Sequence, residues 1–329
     1  MSALAPTLQA FFTDRLIRQR NASPNTVAAY RDTLKLLLAF AAQRLGHEPS
    51  QLDIGELDAT IIAAFLDHLE HERGNSISTR NARLAAVHSL FRYAAHRHPE
   101  HAQDIQRVLA IPVKRSDRAL VTFLDSEESN ALINAPDRAT WTGRRDHALL
   151  VTAIQTGLRA TELTSLNLAD VHLGTGAHIN CRGKGRKERI TPLTKITTAI
   201  LRVWIAERGG DPSDALFPTS QGHQLTRDGL ERRLAKHLAT ATERCPALKD
   251  KHVTLHTLRH TAAMQLLHAG VDSTVIALWL GHERVDTTQI YLHADMALKE
   301  RALARTKPPA TKPGRYQPPD TLLAFLEAL

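Results

Sequence analysis

Apolar residues recur every three or four positions through the first hundred residues, a spacing typical of amphipathic helices. One such segment opens at the Ser-Pro pair 23–24, which is suited to a helix N-terminus, and stops at Gly46. Others follow Asp58 and Ser78, and an earlier one covers residues 7–18. The pattern therefore predicts a small four-helix domain. The repeating apolar positions after the first helix are Val27, Tyr30, Leu34, Leu37, Leu38, Ile61, Ile62, Phe65, Leu66, Leu69, Leu84, Val87, Leu90 and Phe91.

The helical pattern breaks at residues 111–118, IPVKRSDR, where a proline is followed by basic residues. We interpret this stretch as a linker between two domains. Helical spacing resumes at Asp125, and the apolar run 148–154 predicts a buried helix. Between His178 and Pro192, two short strand-like pieces, HINC and ERITPL, flank the turn RGKGRK and predict one β-hairpin.

The pattern is helical again from Thr254 to Arg305 and then changes character. The segment RTKPPATKPGRYQPP combines proline with basic residues, which predicts a semi-rigid, extended connector. A helix as short as the terminal TLLAFLEAL is not stable by itself in water, so we expect it to dock on its own body or on a neighbouring protomer. Its apolar face consists of Leu322, Phe325, Leu326 and Leu329.

Together these patterns predict a mainly α-helical chain with a small β-hairpin or sheet. The predicted boundaries are 1–110 for a helical N-terminal domain, 111–119 for the linker, 120–304 for a mixed α+β domain, and 305–329 for the connector and terminal helix. A chain of 329 residues is long enough for two domains with cores of their own.

The composition is that of a globular protein, with 43% hydrophobic and 23% charged residues. No apolar run approaches the length of a membrane span, and the N-terminus lacks the basic start and apolar core of a secretion signal. Two cysteines, Cys181 and Cys245, are too few for a disulfide framework or a zinc site, which favours a reducing compartment. The net charge of +8 favours a nucleic-acid partner, with simple solubility as the alternative.

Arg159 is the first candidate for chemistry. It lies in TGLRATEL, directly after Gly157 interrupts the helix that carries the buried run. An arginine in a loop between two helices is available to a ligand, and when partly buried it needs an anionic partner. The alternative is a surface arginine, or one that pairs with Glu162.

The predicted hairpin turn RGKGRKER provides a second basic site, with Lys184 at its tip and Arg186 beside it. The turn differs from the GxxxxGK[ST] phosphate loop and no helix follows it, so nucleoside triphosphate binding is not expected. A cationic tip suits a DNA backbone, and so does the polar face of the last N-terminal helix, which carries Arg80 and Arg83. A solvated charged turn is the alternative.

The segment HTLRH places His256 and Arg259 three positions apart, on one helical face. His256 and His260 have the spacing of zinc-binding helices. Such motifs also carry a glutamate after the first histidine, whereas position 257 is threonine, and further ligands are not evident. We therefore predict a positively charged face suited to phosphate, and no metal.

The segment LGHERVDTTQIYLH connects two predicted helices. Gly281 ends the first by accepting a left-handed backbone conformation. Asp286 begins the next as its N-cap, with a glutamine three residues on. This prediction places His282 in the loop and Tyr291 in the second turn of the following helix.

These candidates fit phosphoryl transfer at a phosphodiester. Two arginines can bind the non-bridging oxygens by paired N–H bonds, and such chemistry depends mostly on positioning and charge stabilisation. A tyrosine hydroxyl, with an unperturbed pKa of about 10, needs a base and neighbouring cations to become a nucleophile. Histidine suits the base and lysine the acid. An ordinary buried aromatic is the alternative for the tyrosine. The set consists of Arg159, Lys184, His256, Arg259, His282 and Tyr291.

On these residues the sequence resembles the tyrosine recombinase (phage integrase) family, most closely its compact bacterial Xer-type members. TGLRATEL resembles the first arginine box and HTLRH the His-x-x-Arg box. RGKGRKER resembles the hairpin with the family lysine, and LGHERVDTTQIYLH the segment that carries the tyrosine. The resemblance covers nearly the whole chain, with a mild departure at Thr161, where the family often has serine.

The resemblance implies a role for each residue at the phosphate. Tyr291 attacks the scissile phosphate and forms a 3′-phosphotyrosyl link. Arg159 and Arg259 hold the phosphate oxygens, and Glu162 orients a neighbour.

The resemblance also implies how protons are handled. Lys184 protonates the departing 5′ oxygen, His256 is the acid/base partner of the tyrosine, and His282 hydrogen-bonds the phosphate. Because the covalent link conserves the energy of the diester bond, no metal, nucleotide or other cofactor is implied.

The family pattern implies a two-domain DNA clamp, with an N-terminal four-helix core-binding (SAM-like) domain and a C-terminal mixed α+β catalytic domain. The implied partners are double-stranded DNA with a specific core site and three further copies of the chain, joined through the terminal helix. A cytoplasmic, nucleoid-associated protein is expected.

Three other functions stay open on the sequence alone. A type IB topoisomerase would share the phosphotyrosine chemistry but relax DNA without fixed sites. A catalytically silent DNA-binding regulator would keep the fold, although the intact set of six residues argues against it. A metallohydrolase built on the histidines would be sensitive to chelators.

Overall fold

A computed structural model describes residues 4–115, 121–183 and 188–282, together with Thr288, Ile290 and Tyr291. The chain forms two compact units, Met1–Ala119 and Leu120–Leu329. Most described residues are helical and one small sheet is present, which confirms the predicted fold class. The finer domain boundaries stay predictions.

Five α-helices lie in the described part of the first unit. Four correspond to the predicted helices, and the fifth was not expected from the apolar pattern. The first and third continue into wider π-helical turns, Phe11–Gln19 and His68–Glu72. The helices are α1 Leu4–Ala10, α2 Pro24–Leu45, α3 Ala59–Asp67, α4 Ile77–Ala94 and α5 Ala102–Leu109.

The helix ends of this unit follow local chemistry. The hydroxyl of Ser23 accepts the backbone N–H of Thr26 at the start of α2, and Gly46 ends that helix at φ 72°. Helix α4 begins two residues earlier than predicted, because Ser76 and not Ser78 accepts the N–H of Thr79. Both serines are equally good caps in the sequence, so only the folded backbone distinguishes them.

The predicted apolar faces of this unit meet in one core. Most of the predicted positions are buried, while Val27, Tyr30 and Leu38 pack against it only partly. Full burial of a leucine or phenylalanine side chain contributes about 1.5–3 kcal/mol, so this core is the main source of stability for the unit.

The second unit surrounds its buried helix α7 with further helices and carries a three-stranded antiparallel sheet in the order β1–β2–β3. The strands β2 and β3 form the predicted hairpin, and β1 adds a short third strand. The elements are α6 Ser126–Ile133, α7 Trp141–Thr156, α8 Ala160–Ser165, β1 Val171–His172, β2 His178–Arg182, β3 Glu188–Pro192, α9 Lys195–Arg208, α10 Arg227–Arg244, α11 Leu255–His268 and α12 Ser273–Leu280.

Helix α7 positions the candidate site. Its residues from Ala148 to Ile154 are all buried, as predicted, and the helix packs against α6, α9 and α11. It ends at Gly157, so that α8 starts close to α11 and α12. Among the helices of the described residues, none is long and apolar enough to cross a membrane.

Candidate active site

Arg159 stands at the start of α8, just beyond the glycine that ends α7. Gly157 has φ 64°, and a Cβ there would lie 2.6 Å from the Cδ2 of Leu280, so the turn requires glycine. The Nη1 of Arg159 donates to Glu162 Oε1 over 2.9 Å, and its Nη2 donates to the carbonyl of Gly281 over 2.9 Å. The side chain remains 33% exposed, so it is half-buried and open to a ligand.

Glu162 is the buried anion that holds this corner together. Its carboxylate accepts two bonds of 2.8 Å from Arg189 on β3 and one of 2.7 Å from the backbone N–H of Arg159. Burial alone would raise the pKa of Glu162, but these bonds and the two cations lower that pKa to about 2. Glu162 is therefore ionised at neutral pH and orients both arginines.

Three arginines converge on the C-terminal end of α12. Its last carbonyls have no helical partner, and the negative end of the helix dipole favours cations there. Trp279 O accepts from Arg189 over 3.1 Å, and Leu280 O accepts from Arg259 over 2.6 Å. The next carbonyl, of Gly281, is the one bound by Arg159. Side chains a hundred positions apart are thereby fixed on consecutive peptide groups.

Arg259, on α11, is the buried member of this group. It is 2% exposed, and its Nη1 also donates to the carbonyl of Gly157 over 2.8 Å. Burial, together with the charge of Arg159, lowers the pKa of Arg259 to about 10. Two cations this close are unfavourable by themselves, and a bound anion would relieve the repulsion.

Tyr291 belongs to the same corner. It is 2% exposed and packs in a small core with Leu280, Met264 and Ile276. Its hydroxyl is hydrogen-bonded to Nδ1 of His260 over 3.0 Å. Burial raises the pKa of Tyr291 to about 12, while the positive charges of Arg259 and Arg159 oppose this increase. The tyrosine is thus protonated at rest, within the field of both arginines.

His282 follows Gly281 and faces the tyrosine. Its ring lies nearly parallel to that of Tyr291, with a 14° interplanar angle and centroids 6.4 Å apart. Its Nδ1 is hydrogen-bonded to the hydroxyl of Thr288 over 2.8 Å. Burial, with the charge of Arg259, lowers the pKa of His282 to about 4, so the ring is neutral near pH 7.

The two histidines of α11 have different positions. His256 is exposed, and its ring packs edge-on against that of His260, with centroids 4.1 Å apart. His260, not His256, makes the hydrogen bond to Tyr291. The sequence did not predict this hydrogen bond of His260, because the His-x-x-Arg spacing indicates the first histidine. The four-residue spacing of the two histidines was the available signal, but it is also typical of metal sites, and we considered it only in that sense.

Several predicted residues lie outside the described part of the chain. These are Lys184 and Arg186 at the hairpin tip, the predicted cap Asp286, and the terminal apolar face formed by Leu322, Phe325, Leu326 and Leu329. The described strands β2 and β3 precede and follow Lys184 in the sequence.

The two arginines predicted to contact DNA on α4 have little solvent exposure. Arg80 is 6% exposed and donates to the carbonyl of Pro112, with Glu70 4.0 Å from its Nε. Arg83 is half-buried. The guanidinium of Arg80 therefore contacts its own unit, and the DNA contacts of Arg80 and Arg83 stay predictions.

Comparison with known proteins gives the family. Residues 122–297 match the Phage integrase family, and residues 10–98 match the Phage integrase, N-terminal SAM-like domain. This chain belongs to the phage integrase family. It is accordingly an enzyme of the tyrosine recombinase type, a DNA strand transferase, and the resemblance read from the sequence is confirmed.

Two relatives align with nearly the whole length of this chain. Putative integrase/recombinase y4rC of Sinorhizobium fredii is 55% identical over 328 residues, which is 100% of this chain and 99% of that protein. Tyrosine recombinase XerD of Pseudomonas putida is 32% identical, covering 94% of this chain and 99% of that protein. The fold is similar to XerH site-specific recombinase bound to palindromic difH substrate, with TM-score 0.70, 24% identity and coverage of 87% and 81%.

Proposed function

We propose that this integrase is a site-specific recombinase that cleaves and rejoins duplex DNA through a 3′-phosphotyrosyl link at Tyr291. One observation carries the proposal: Arg159 and Arg259 bind the consecutive carbonyls of Gly281 and Leu280, and Tyr291 is buried within the electrostatic field of both arginines. The site thus combines an anion-binding pair with a nucleophile.

The arginines bind the scissile phosphate in this scheme. A guanidinium has five N–H donors. The contacts of Arg159 with described side chains and carbonyls use one donor on Nη1 and one on Nη2, so its half-exposed edge can reach a phosphate oxygen. Arg259 is held more deeply and supplies fixed positive charge. Such preorganised donors stabilise the charge that develops in the transition state.

Cleavage then follows by in-line displacement. The phenol of Tyr291 gives its proton to a histidine of α11 as its oxygen bonds to phosphorus, the bond to the 5′ oxygen breaks, and Lys184 gives that oxygen a proton. His282 is placed to hydrogen-bond the phosphate through its second ring nitrogen, because its Nδ1 is bound to Thr288. The covalent link keeps the energy of the diester, so rejoining requires the reverse steps and no nucleotide or metal.

We also propose the assembly that the family implies. The two units close around the core site of a duplex, and four copies of the chain exchange two duplexes. The terminal apolar face, Leu322, Phe325, Leu326 and Leu329, docks on a neighbouring protomer. The similarity to XerH, which was solved bound to its DNA substrate, supports the DNA partner in this proposal. A cytoplasmic, nucleoid-associated location remains a prediction.

The decisive experiment traps and maps the covalent adduct. Cells expressing the tagged protein are lysed in denaturant, and the DNA attached to the protein is sequenced. We expect adducts at one or a few defined core sites. Adducts scattered over the genome, with relaxation of a supercoiled plasmid that lacks any target, would instead support a type IB topoisomerase.

The matched control is Tyr291→Phe, which removes one oxygen atom. We expect this variant to bind the mapped duplex with parental affinity in a gel-shift assay and to form no adduct, because the attacking group is missing. An adduct in the phenylalanine variant would reject Tyr291 as the nucleophile. Loss of DNA binding together with the adduct would indicate a structural role.

A further inference from the structure

The hydroxyl of Tyr291 already has a hydrogen-bond partner, and it is not the histidine that the family pattern selects. Nδ1 of His260 lies 3.0 Å from the phenolic oxygen. The rings meet edge to face, at 67° with centroids 5.5 Å apart. This distance and orientation meet the geometric requirement for direct proton transfer between the two groups.

The other two histidines of the site are placed differently. Nδ1 of His282 is hydrogen-bonded to Thr288, and its ring lies nearly parallel to the tyrosine ring with centroids 6.4 Å apart. His256 packs edge-on against the ring of His260 and is exposed to solvent. Within the described residues, His260 is thus the histidine that is hydrogen-bonded to the reacting oxygen.

The pKa values of the pair require that the proton moves in concert with attack on phosphorus, because free transfer from a phenol with a pKa of about 12 to a ring with a pKa of about 4 is unfavourable. Burial, followed by the nearby charges of His256, Arg259 and His282, lowers the pKa of His260 to about 4. The ring is therefore neutral near pH 7, and the tautomer with its proton on Nε2 accepts at Nδ1. Burial has raised the pKa of Tyr291 to about 12, so the phenol requires a base in direct contact.

We propose that His260 is the general base that removes the phenolic proton of Tyr291 during strand cleavage, the role that the family pattern gives to His256. The inference rests on the proposed function. The phenolic O–H bond breaks and its proton moves to Nδ1 of His260. The oxygen forms its bond to phosphorus, and the departing 5′ oxygen takes its proton from the proposed acid, Lys184. In rejoining, His260 returns the proton to the phenolate.

The test compares His260→Asn with the matched variant His256→Asn. The asparagine amide occupies the region of Nδ1 and can hydrogen-bond the phenol, but it does not take up a proton near neutral pH. The probe is a nicked suicide duplex that carries the core site mapped by adduct sequencing, and single-turnover adduct formation is followed. We expect His260→Asn to react about 10²-fold or more slowly, the usual contribution of a positioned general base.

A second readout separates a base from a structural neighbour. Tyr291 is replaced by a fluorinated tyrosine, whose phenol is more acidic and depends less on a base. We expect this replacement to recover much of the rate lost in His260→Asn but not the rate lost in His256→Asn. A merely structural histidine would leave the same defect with either phenol. Thermal melts show that each variant is folded, and His260→Gln replaces His260→Asn if the latter is not.

Three outcomes overturn the proposal. The first is adduct formation by His260→Asn at the parental rate or faster. This result would mean that the hydrogen bond between His260 and Tyr291 only restrains the nucleophile. The second is a defect that the acidic phenol does not reduce, and the third is rescue in His256→Asn instead. The proposed function fails separately, if Tyr291→Phe still forms the adduct on this duplex.

Discussion

Two buried arginine–carboxylate clusters in the second unit use the same chemistry for different ends. In the first, Arg145 donates to Asp146 over 2.7 and 2.9 Å and to the carbonyl of Pro218 over 2.8 Å. The other oxygen of Asp146 lies 2.8 Å from His237 and 3.5 Å from Arg233. In the second, Glu162 binds Arg189 and Arg159.

The clusters differ in exposure. The side chain of Arg145 is 0% exposed and lies over the ring of Trp141, whereas that of Arg159 is 33% exposed. The guanidinium of Arg145 is sealed from any ligand and supports the fold, while that of Arg159 is half open and can also bind an external anion. The comparison teaches that, of two arginines paired with buried carboxylates, the more exposed one is available to a ligand.

The largest expected change in stability tests the cluster of Arg145 and Asp146. Arg145→Met leaves Asp146 buried without its main partner, which typically costs about 3–5 kcal/mol in the free energy of unfolding. The rate of adduct formation per folded molecule should not change. Urea denaturation gives the first quantity and a titrated suicide substrate the second.

The control for this variant is Arg144→Met, one position earlier. Arg144 pairs with Glu207 at the surface, where solvent screens the two charges, so its loss should lower the free energy of unfolding far less. Equal losses of stability in the two variants would contradict the distinction between the buried and the surface pair.

In the cluster of Arg159 and Glu162, a substitution should lower the cleavage rate and leave stability nearly unchanged. Arg159→Lys keeps the charge but loses the planar fork that can grip both Glu162 and a phosphate. Loss of one preorganised donor typically lowers the rate about 10²–10³-fold, and we expect that reduction in single-turnover cleavage. The urea midpoint should change far less than in Arg145→Met. A variant that unfolds easily and cleaves normally when folded would mean that Arg159 is structural.

A smaller effect on the cleavage rate is expected at Arg189, which contacts Glu162. Arg189 holds Glu162 and Trp279 O, so it orients Arg159 without reaching the ligand. Arg189→Lys should misplace the site slightly and lower the cleavage rate by up to about 10²-fold, with unchanged DNA affinity. Binding that weakens in proportion to the rate would indicate that Arg189 contacts the DNA itself.

The smallest effect concerns pH. The pKa values of His260 and His282 are lowered to about 4 in the folded protein, so the unfolded chain binds more protons between pH 6.5 and 4. Stability should therefore fall as the pH drops through that window, and the contribution of ionised Glu162 should be lost progressively as the pH falls from 4.5 to about 2.

Melting temperatures measured from pH 7.5 to pH 4 check this prediction. His260→Asn should flatten the decline, because one buried group that resists protonation is removed. An unchanged slope in that variant would mean that His260 is not the source of the acid sensitivity.

Much of the fold was predictable because it depends on short-range patterns. Helices α2, α3 and α7 follow from apolar spacing and from caps such as Ser23 and Gly46, and the hairpin follows from two strand-like pieces around a glycine-rich turn. The extra helix α5 was missed because it is short and has only two buried residues, Ile105 and Val108. The start of α4 was misplaced because two serines compete for one cap.

The candidate site was predictable only as a set of residue types. Motif order placed Arg159, Arg259 and Tyr291 in one function, but it did not indicate what each side chain touches. The convergence of three arginines on consecutive carbonyls joins β3, α8 and α11 at the end of α12, and no local spacing encodes it. The direction of Arg80 toward Pro112 likewise depends on a contact 32 positions away.

By itself the sequence determined the family, the helical architecture and the chemical inventory of the site, since these depend on composition, periodicity and motifs along the chain. Only the tertiary structure decided that Arg145 is sealed while Arg159 is open, and that His260 rather than His256 meets the tyrosine hydroxyl. Burial and hydrogen-bond partners arise when distant segments pack together, so they become visible only after the chain has folded.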